Sequence, residues 1–382
     1  MSLAGHHLRL GAPHAPRAVT PCTLRTLHAP REATPCTLHA PREVPHFAPR
    51  TACVPSRASA AHHPGRRAFT LIELLVTITV LAILMAAVLG GMRMADEAAR
   101  AARTRSTITK LNDVIMEQYD SYLNRRVPMD LNAYAQSLAG SGTVRPEHYA
   151  RAKLNALKDL MRMEMPDRWS DVNGDPLILK HMSNNTPIVP ALTESYRRAL
   201  QRAPNASNTL GAAECLYLIV MNNPEAAAAF NNAEIGDTDR DGLKEFIDGW
   251  GNPIRFIRWP AGFIGNSTIG FCSDLQVNDS AVAPDPFNPA RVRINNTVGP
   301  GYAIFPLIYS AGPDKIYDIN IGKSGTDDYV YVLSNNNLNP YTNDGQGKLI
   351  GLPQDGAGID NSGANGVLNH TDNIHNHRLL GR

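Results

Sequence analysis

One stretch constrains this chain more than any other: Arg66-Arg67-Ala68-Phe69-Thr70-Leu71-Ile72-Glu73-Leu74-Leu75-Val76. It runs directly into residues 77–92, which carry no charged side chain. About 20 consecutive apolar positions are what a helix needs to cross a bilayer. Charges are rare in such segments because each costs roughly 2.5–3.5 kcal/mol at mid-bilayer on insertion scales. A single Glu73 near the start of the apolar run therefore demands a reason.

The stretch resembles the processing site of type IV prepilins and of the pseudopilins of type II secretion systems. In that family a prepilin peptidase cuts just before the Phe and methylates the new amine, and the Glu is then used in assembly. The resemblance places the cut between Ala68 and Phe69 and makes Glu73 the assembly carboxylate. One departure stands out: the residue before the cut is usually Gly. Ala68 is also small, so slower or normal cleavage is expected rather than none. The alternative is an ordinary signal anchor that reads Phe-Thr-Leu-Ile-Glu.

The region before the cut looks unlike the rest. Residues 1–67 are basic, with only Glu32 and Glu43 opposing many Arg and His, although the whole chain is near balance at 37 basic and 35 acidic residues. The remainder is mildly acidic, so no nucleic-acid partner is expected once the leader is removed. Thr20-Pro21-Cys22-Thr23-Leu24 recurs as Thr34-Pro35-Cys36-Thr37-Leu38, and His28-Ala29-Pro30-Arg31-Glu32 recurs as His39-Ala40-Pro41-Arg42-Glu43. Pro at this density blocks helix and sheet ladders, so residues 1–68 are read as a disordered leader. It is either a genuine basic extension or the product of a start assigned too far upstream. Arg66 and Arg67 mark the cytoplasmic side of the membrane. Of five cysteines, Cys22, Cys36 and Cys53 precede the cut. Cys215 and Cys272 remain, as one disulfide or as two buried thiols.

Beyond the cut, an α+β fold is expected. Residues 69–127 form one long helix, transmembrane over 69–91, with Gly90-Gly91 as a soft point. Its second half is amphipathic: Ile108, Leu111, Ile115, Tyr119 and Tyr122 recur at helical spacing. Pro128 stops it. Residues 128–235 read as a mainly helical insertion. Within it, Asp171-Val172-Asn173-Gly174-Asp175 reads as a plain turn. Residues 236–333 read as a head with a small antiparallel β-sheet packed on the long helix. Short β-branched runs near 253–259, 267–272, 292–295, 302–310 and 329–333 supply its strands. Residues 334–382 form a polar, partly disordered tail whose His370, His375 and His377 have no fixed metal geometry.

The best ion-site candidate is Asp237-Thr238-Asp239-Arg240-Asp241-Gly242-Leu243-Lys244-Glu245-Phe246-Ile247-Asp248. It fits the spacing of an EF-hand calcium loop. Asp237, Asp239 and Asp241 take the early ligand positions, and Gly242 supplies the sharp turn. Leu243 offers a carbonyl, Glu245 a direct or water-mediated contact, and Asp248 closes the loop. Departures are Asp in place of the final Glu, Lys244 at a usually apolar position, and little room for an exit helix after Gly249. The plain alternative is a solvated acidic turn. A second resemblance joins Trp250-Gly251-Asn252-Pro253, Ser310-Ala311-Gly312-Pro313-Asp314 and Gly325-Thr326-Asp327-Asp328. It resembles the calcium-holding half of major pseudopilins, and it implies Asp314, Asp327 and Asp328 as ligands. The alternative there is a hairpin whose Asp residues favour the turn.

Taken together, the resemblance implies a structural subunit rather than an enzyme. No nucleophile elbow, zinc-protease motif or phosphate loop occurs in the sequence. The implied role is a pseudopilin of a type II secretion-like pseudopilus, anchored in the bacterial inner membrane with its head periplasmic. Its implied partners are the prepilin peptidase, other pilin or pseudopilin subunits and the inner-membrane assembly platform, with Ca2+ as the expected ion. A type IV pilin for adhesion, motility or DNA uptake is one alternative. A membrane-anchored calcium-dependent binding protein that never polymerises is the other.

Overall fold

Helix α1, Leu71–Ser121, dominates the computed structural model. At 1.5 Å per residue its 51 residues span roughly 75 Å. The structure describes residues 69–203, 209–265, 273–294, 299–321, 332–334, 337–341, 349–353 and 373–378. The expected soft point at Gly90-Gly91 is absent: the helix passes through both glycines without interruption. A 3-10 turn, Tyr122–Asn124, ends it ahead of Pro128.

The two halves of α1 meet different surroundings. In the first half, every apolar side chain is exposed, from Leu71 to Met94. In the second half, Thr104, Thr107, Ile108, Leu111, Ile115 and Tyr119 are buried. Their spacing of three and four residues draws one stripe down the helix. Ile108, Leu111 and Ile115 are fully buried, so this stripe is the spine of the core. Tyr119 caps it by donating from Oη to the carbonyl of Ile304 at 2.6 Å.

A helical layer packs beside this spine. It comprises α2 (Leu131–Ala139), α3 (Pro146–Glu164), α4 (Trp169–Asn173), α5 (Ala191–Leu200), α6 (Gly211–Met221) and α7 (Pro224–Ala227). Asp130 caps α2, and Pro at the first positions of α3 and α7 pre-sets their backbone. The segment 171–175 is not the plain turn expected from its Asp and Asn content. Its first half is helix α4, and Asp171 is drawn inward.

That inward turn belongs to a buried ionic lattice. Arg162 pairs with Asp159 at 3.0 Å and with Asp171 at 3.1 Å; Arg168 pairs with Asp167 at 2.8 Å. Arg258 reaches Asp171 at 2.9 Å and donates its backbone N–H to Asp167 at 3.0 Å. All six side chains are buried. Three positive and three negative charges therefore balance away from water. The remaining valences are used as well: Asp159 accepts from the amides of Ile178 and Leu179, and Arg258 donates to the carbonyl of Met165. Removing one member of such a set leaves its partners as unpaired buried charges. The lattice fixes α3 and α4 to the strand that precedes Arg258.

The strands are antiparallel, as expected of the α+β fold. Among the described residues, six short strands form three antiparallel pairs. They are β1 (Ile235–Gly236) with β2 (Glu245–Phe246), β3 (Arg255–Ile257) with β4 (Leu307–Tyr309), and β5 (Val332–Ser334) with β6 (Asn337–Asn339). Proline explains the brevity. Pro253 and Pro260 bracket β3, and Pro306 and Pro313 bracket β4. Each lacks the N–H a ladder needs.

Part of the polar C-terminal region folds inward. His375 bridges Tyr309, and Asn376–Arg378 form a 3-10 turn. Asn376 links Asn112 of α1 to the carbonyl of Pro306, both at 2.9 Å. The buried His377 places Nε2 3.1 Å from the carbonyl of Pro306 and Nδ1 2.8 Å from Ser273 Oγ. A carbonyl only accepts, so Nε2 carries the proton and Nδ1 accepts from the Ser273 hydroxyl.

Burial holds His377 neutral and pushes its pKa down to about 4. An unfolded His titrates near 6.5. Between these two values the unfolded chain binds the extra proton, so acid favours unfolding. Stability should therefore be intact above about pH 6.5 and fall by about 3 kcal/mol as the pH approaches 4. Denaturant titrations at stepped pH measure this, and a His377→Asn variant should show a shallower acid limb over the same window.

Candidate functional site

Two regions qualify as functional: the first half of α1 and the acidic hairpin of the head. At the helix start, Thr70 is extended and its Oγ1 accepts from the Glu73 amide at 3.3 Å. Glu73 lies in the first turn, where the helix dipole favours a carboxylate. It is exposed among exposed apolar neighbours, including Phe69, Leu71 and Ile72. The two threonines that follow hide their polarity. Thr77 donates to the carbonyl of Leu74 at 2.8 Å, and Thr79 to that of Val76 at 2.9 Å. What remains is an apolar cylinder bearing one carboxylate, long and apolar enough to cross a membrane. Ala68 lies outside the described residues.

The family comparison falls on this same segment. The model of the prokaryotic N-terminal methylation motif matches residues 64–89. Over this segment, motif and apolar helix fit the N-terminal region of prepilins and pseudopilins. A motif of this type implies processing by a peptidase and assembly with other pilin subunits, and it points to a structural subunit. One apolar N-terminal helix beside it is compatible with single-pass membrane anchoring. The match ends within α1 and does not reach the head. No curated protein and no solved structure matches the chain.

In the head, the sequence 237–244 is the loop of the β1–β2 hairpin. An EF-hand has a helix on each side of its loop, so this loop has the ligand spacing without the flanking helices. Arg240 and Gly242 both take left-handed backbone, with φ of 63° and 99°. Asp241 Oδ1 accepts from the Leu243 amide at 2.8 Å, and Glu245 Oε2 accepts from the Thr238 amide at 3.0 Å. These bonds hold the loop curled.

The structure brings Asp237, Asp239 and Asp241 together, with carboxylate oxygens within 4.8 Å of one another. A second set at the same range is Glu214, Asp239 and Glu245. Glu214 comes from the first turn of α6 and was invisible to a reading based on loop spacing. Its only sequence signal is a lone acid in the apolar run 211–221. Gly211 lets α6 begin against Trp169, because a Cβ there would lie 2.9 Å from the indole. The Trp169 indole N–H in turn donates to Glu214 Oε2. Burial pushes the Glu214 carboxyl up to about 9, and Asp241 and Asp239 push the same way. Burial also raises Glu245, to about 7, with Asp239 and Asp237 adding to it. Among the described residues, no Lys or Arg pairs with Glu214, Asp239 or Glu245.

Asp248, expected as the closing ligand, is not in either set. Its carboxylate accepts from the amides of Trp250 and Asn252, both at 2.8 Å, from Asn252 Nδ2 at 3.2 Å and from Ser310 Oγ at 2.7 Å. It thereby clamps the Trp250-Gly251-Asn252-Pro253 turn to the Ser310–Gly312 segment. The turn also docks on α1. Gly249 donates to Thr104 Oγ1 at 2.8 Å, and the Trp250 indole donates to Glu97 at 2.9 Å. A side chain on Gly249 would collide with the backbone of Arg100. Leu243 is buried. In the second candidate site, Asp314 is exposed and accepts from the Ile316 amide at 2.9 Å, an ordinary Asp turn. Asp327 and Asp328 lie outside the described residues, as does Cys272. Cys215 is a buried thiol.

Because the Asp248 carboxylate serves the turn, its removal should act on stability. Asp248→Ala is expected to cost about 1–3 kcal/mol for each buried donor left unpaired. The loss, measured by denaturant unfolding, should be as large in EDTA as in calcium.

Proposed function

We propose that the mature chain begins at Phe69 and is a filament subunit, a pseudopilin of a type II secretion-like pseudopilus. In this reading a prepilin peptidase cuts between Ala68 and Phe69 and methylates the new amine. The inner-membrane assembly platform then moves the subunit from bilayer to filament. The observation that carries the reading is the division of α1. Its first half is apolar and wholly unburied, while its second half is the spine of the head. Such a helix needs a second apolar environment, and lipid before assembly and neighbouring helices afterwards provide it in turn.

Glu73 has a physical role in that exchange. In the bilayer its carboxylate is costly. In a bundle of packed α1 helices, the positive amine of a neighbour's Phe69 offers it a charge-assisted partner. That pairing would set the axial register of the filament. Support for the secretion branch over an adhesive or motility pilin comes from the head. There the Trp250-Gly251-Asn252-Pro253 turn and the Ser310–Gly312 segment, distant in sequence, are latched through Asp248.

Two measurements test the proposal. N-terminal and intact-mass analysis of the membrane-extracted protein should find N-methyl-Phe69 as the first residue. A start anywhere within 1–65 would sink the processing step. Glu73→Ala should insert into the membrane normally and disappear from sheared filaments. Incorporation at the wild-type level would favour a plain membrane anchor instead.

A further inference from the structure

The acidic hairpin of the head holds an unresolved electrostatic conflict. Glu214 and Glu245 are both buried, the Oε1 atom of each lacks an N–H or O–H donor, and the Glu214 carboxyl lies against that of Asp241. Both side chains offer oxygens within 4.8 Å of each other and of Asp239. Asp237 and Asp241 stand beside them on the same loop. Buried polar atoms are nearly always paired, so two buried carboxyl oxygens without a donor, beside the carboxylates of one loop, point to a further partner. The partner must be positive, must accept several hard oxygens at once, and must tolerate ligands from different elements.

We propose that Glu214, Asp239 and Glu245 form a divalent-cation site of the calcium class, with Glu214 joining helix α6 to the β1–β2 hairpin. All three donors are carboxylates, whereas zinc favours nitrogen and sulfur. Calcium takes six to eight oxygens in irregular geometry, so Asp237 or Asp241, carbonyls and water can complete the shell. A cleft of about 250 Å³, lined by Arg202, Glu214, Tyr217, Leu218, Leu243 and Lys244, gives the ion a way in from solvent. The site differs from a self-contained calcium loop in two respects. Asp248 is absent from it, and its deepest ligand lies on a helix remote in sequence. Its consequence is mechanical. The ion ties the helical layer to the hairpin that leads into the turn docked on α1. The site stands whether or not the chain polymerises.

The test uses the full chain in detergent, stripped with chelator and titrated with CaCl2 by calorimetry and by thermal unfolding. Saturable binding and a rise in Tm are expected. Glu214→Gln keeps an acceptor for the Trp169 indole but removes the charge. It should fold without calcium at least as stably as the wild type, yet bind calcium about tenfold or more weakly, since ligand charge sets affinity in such sites. Asp239→Asn, on the exposed part of the loop, should show a similar loss and serves if the first variant does not fold. Terbium should show emission sensitised through tryptophan, and Trp169→Phe should remove most of it. The proposal is overturned by a wild-type chain that shows neither heat nor Tm shift at millimolar calcium. It is equally overturned by wild-type affinity in Glu214→Gln, or by undiminished terbium emission in Trp169→Phe.

Discussion

Everything in this structure depends on a single helix having to satisfy two environments. The stripe Ile108, Leu111, Ile115 and Tyr119 is buried against the head, so the second half of α1 cannot be withdrawn without opening the core. The first half is as apolar as a membrane span and touches none of that core. Because the helix is continuous through Gly90-Gly91, position and orientation of the head are set by whatever holds the first half. A break there would let the head swing, whereas a continuous helix transmits the register of its N-terminus along its length. That is the mechanical requirement of a filament subunit, and it gives the lone carboxylate of Glu73 leverage over a body many times its size.

The head meets this requirement by gripping α1 at several levels. Tyr119 and Tyr122 hold the far end, through Ile304 and Glu164. In the middle, Lys110 and Thr107 share the carboxylate of Glu234. Nearest the apolar half, Gly249 and Trp250 dock on Thr104 and Glu97. The helical layer is coupled to this grip through the lattice of Arg162, Arg168 and Arg258 with Asp159, Asp167 and Asp171. A lattice of balanced buried charges adds little net stability over apolar packing, but it tolerates no substitution of one member without the rest. Its effect is to fix one arrangement of α3, α4 and β3, which suits a layer otherwise joined by short helices and loops.

How much of this could be read from the sequence depended on the range of each signal. The long helix was legible because its apolar run and its three-and-four spacing are both local. The buried stripe falls on the residues picked out by periodicity. The mainly helical character of 128–235 was legible from composition, without the bounds of its helices. The antiparallel pair β3–β4 was legible from its β-branched runs, whereas the shortness of its strands depends on the prolines that flank them. The ionic lattice was illegible, since Asp171 and Arg258 are 87 residues apart and nothing in a turn-like Asp-Val-Asn-Gly-Asp announces a buried guanidinium. The polar composition near the C-terminus concealed His377 in the same way, because its burial depends on Ser273 and Pro306.

The acidic loop shows where a motif stops being sufficient. Spacing alone assigned ligands in chain order from Asp237 to Asp248, as if the loop closed on itself. The hairpin gives Asp248 other partners: β2 begins at Glu245, and the Asp248 carboxylate accepts from the Trp250 turn and Ser310. Helix α6 instead brings Glu214, from its first turn, to Asp239 and Glu245. An acid in an otherwise apolar helix is costly unless something on the opposite surface answers it. Here the opposite surface is itself acidic, so the Glu214 carboxyl either keeps its proton, as its pKa of about 9 allows, or meets a cation, as proposed above. The same logic applies to Glu73 at the other end of the molecule. In both places an acidic side chain sits where apolar surroundings disfavour its charged form, and in both, among the described residues, no Lys or Arg pairs with it.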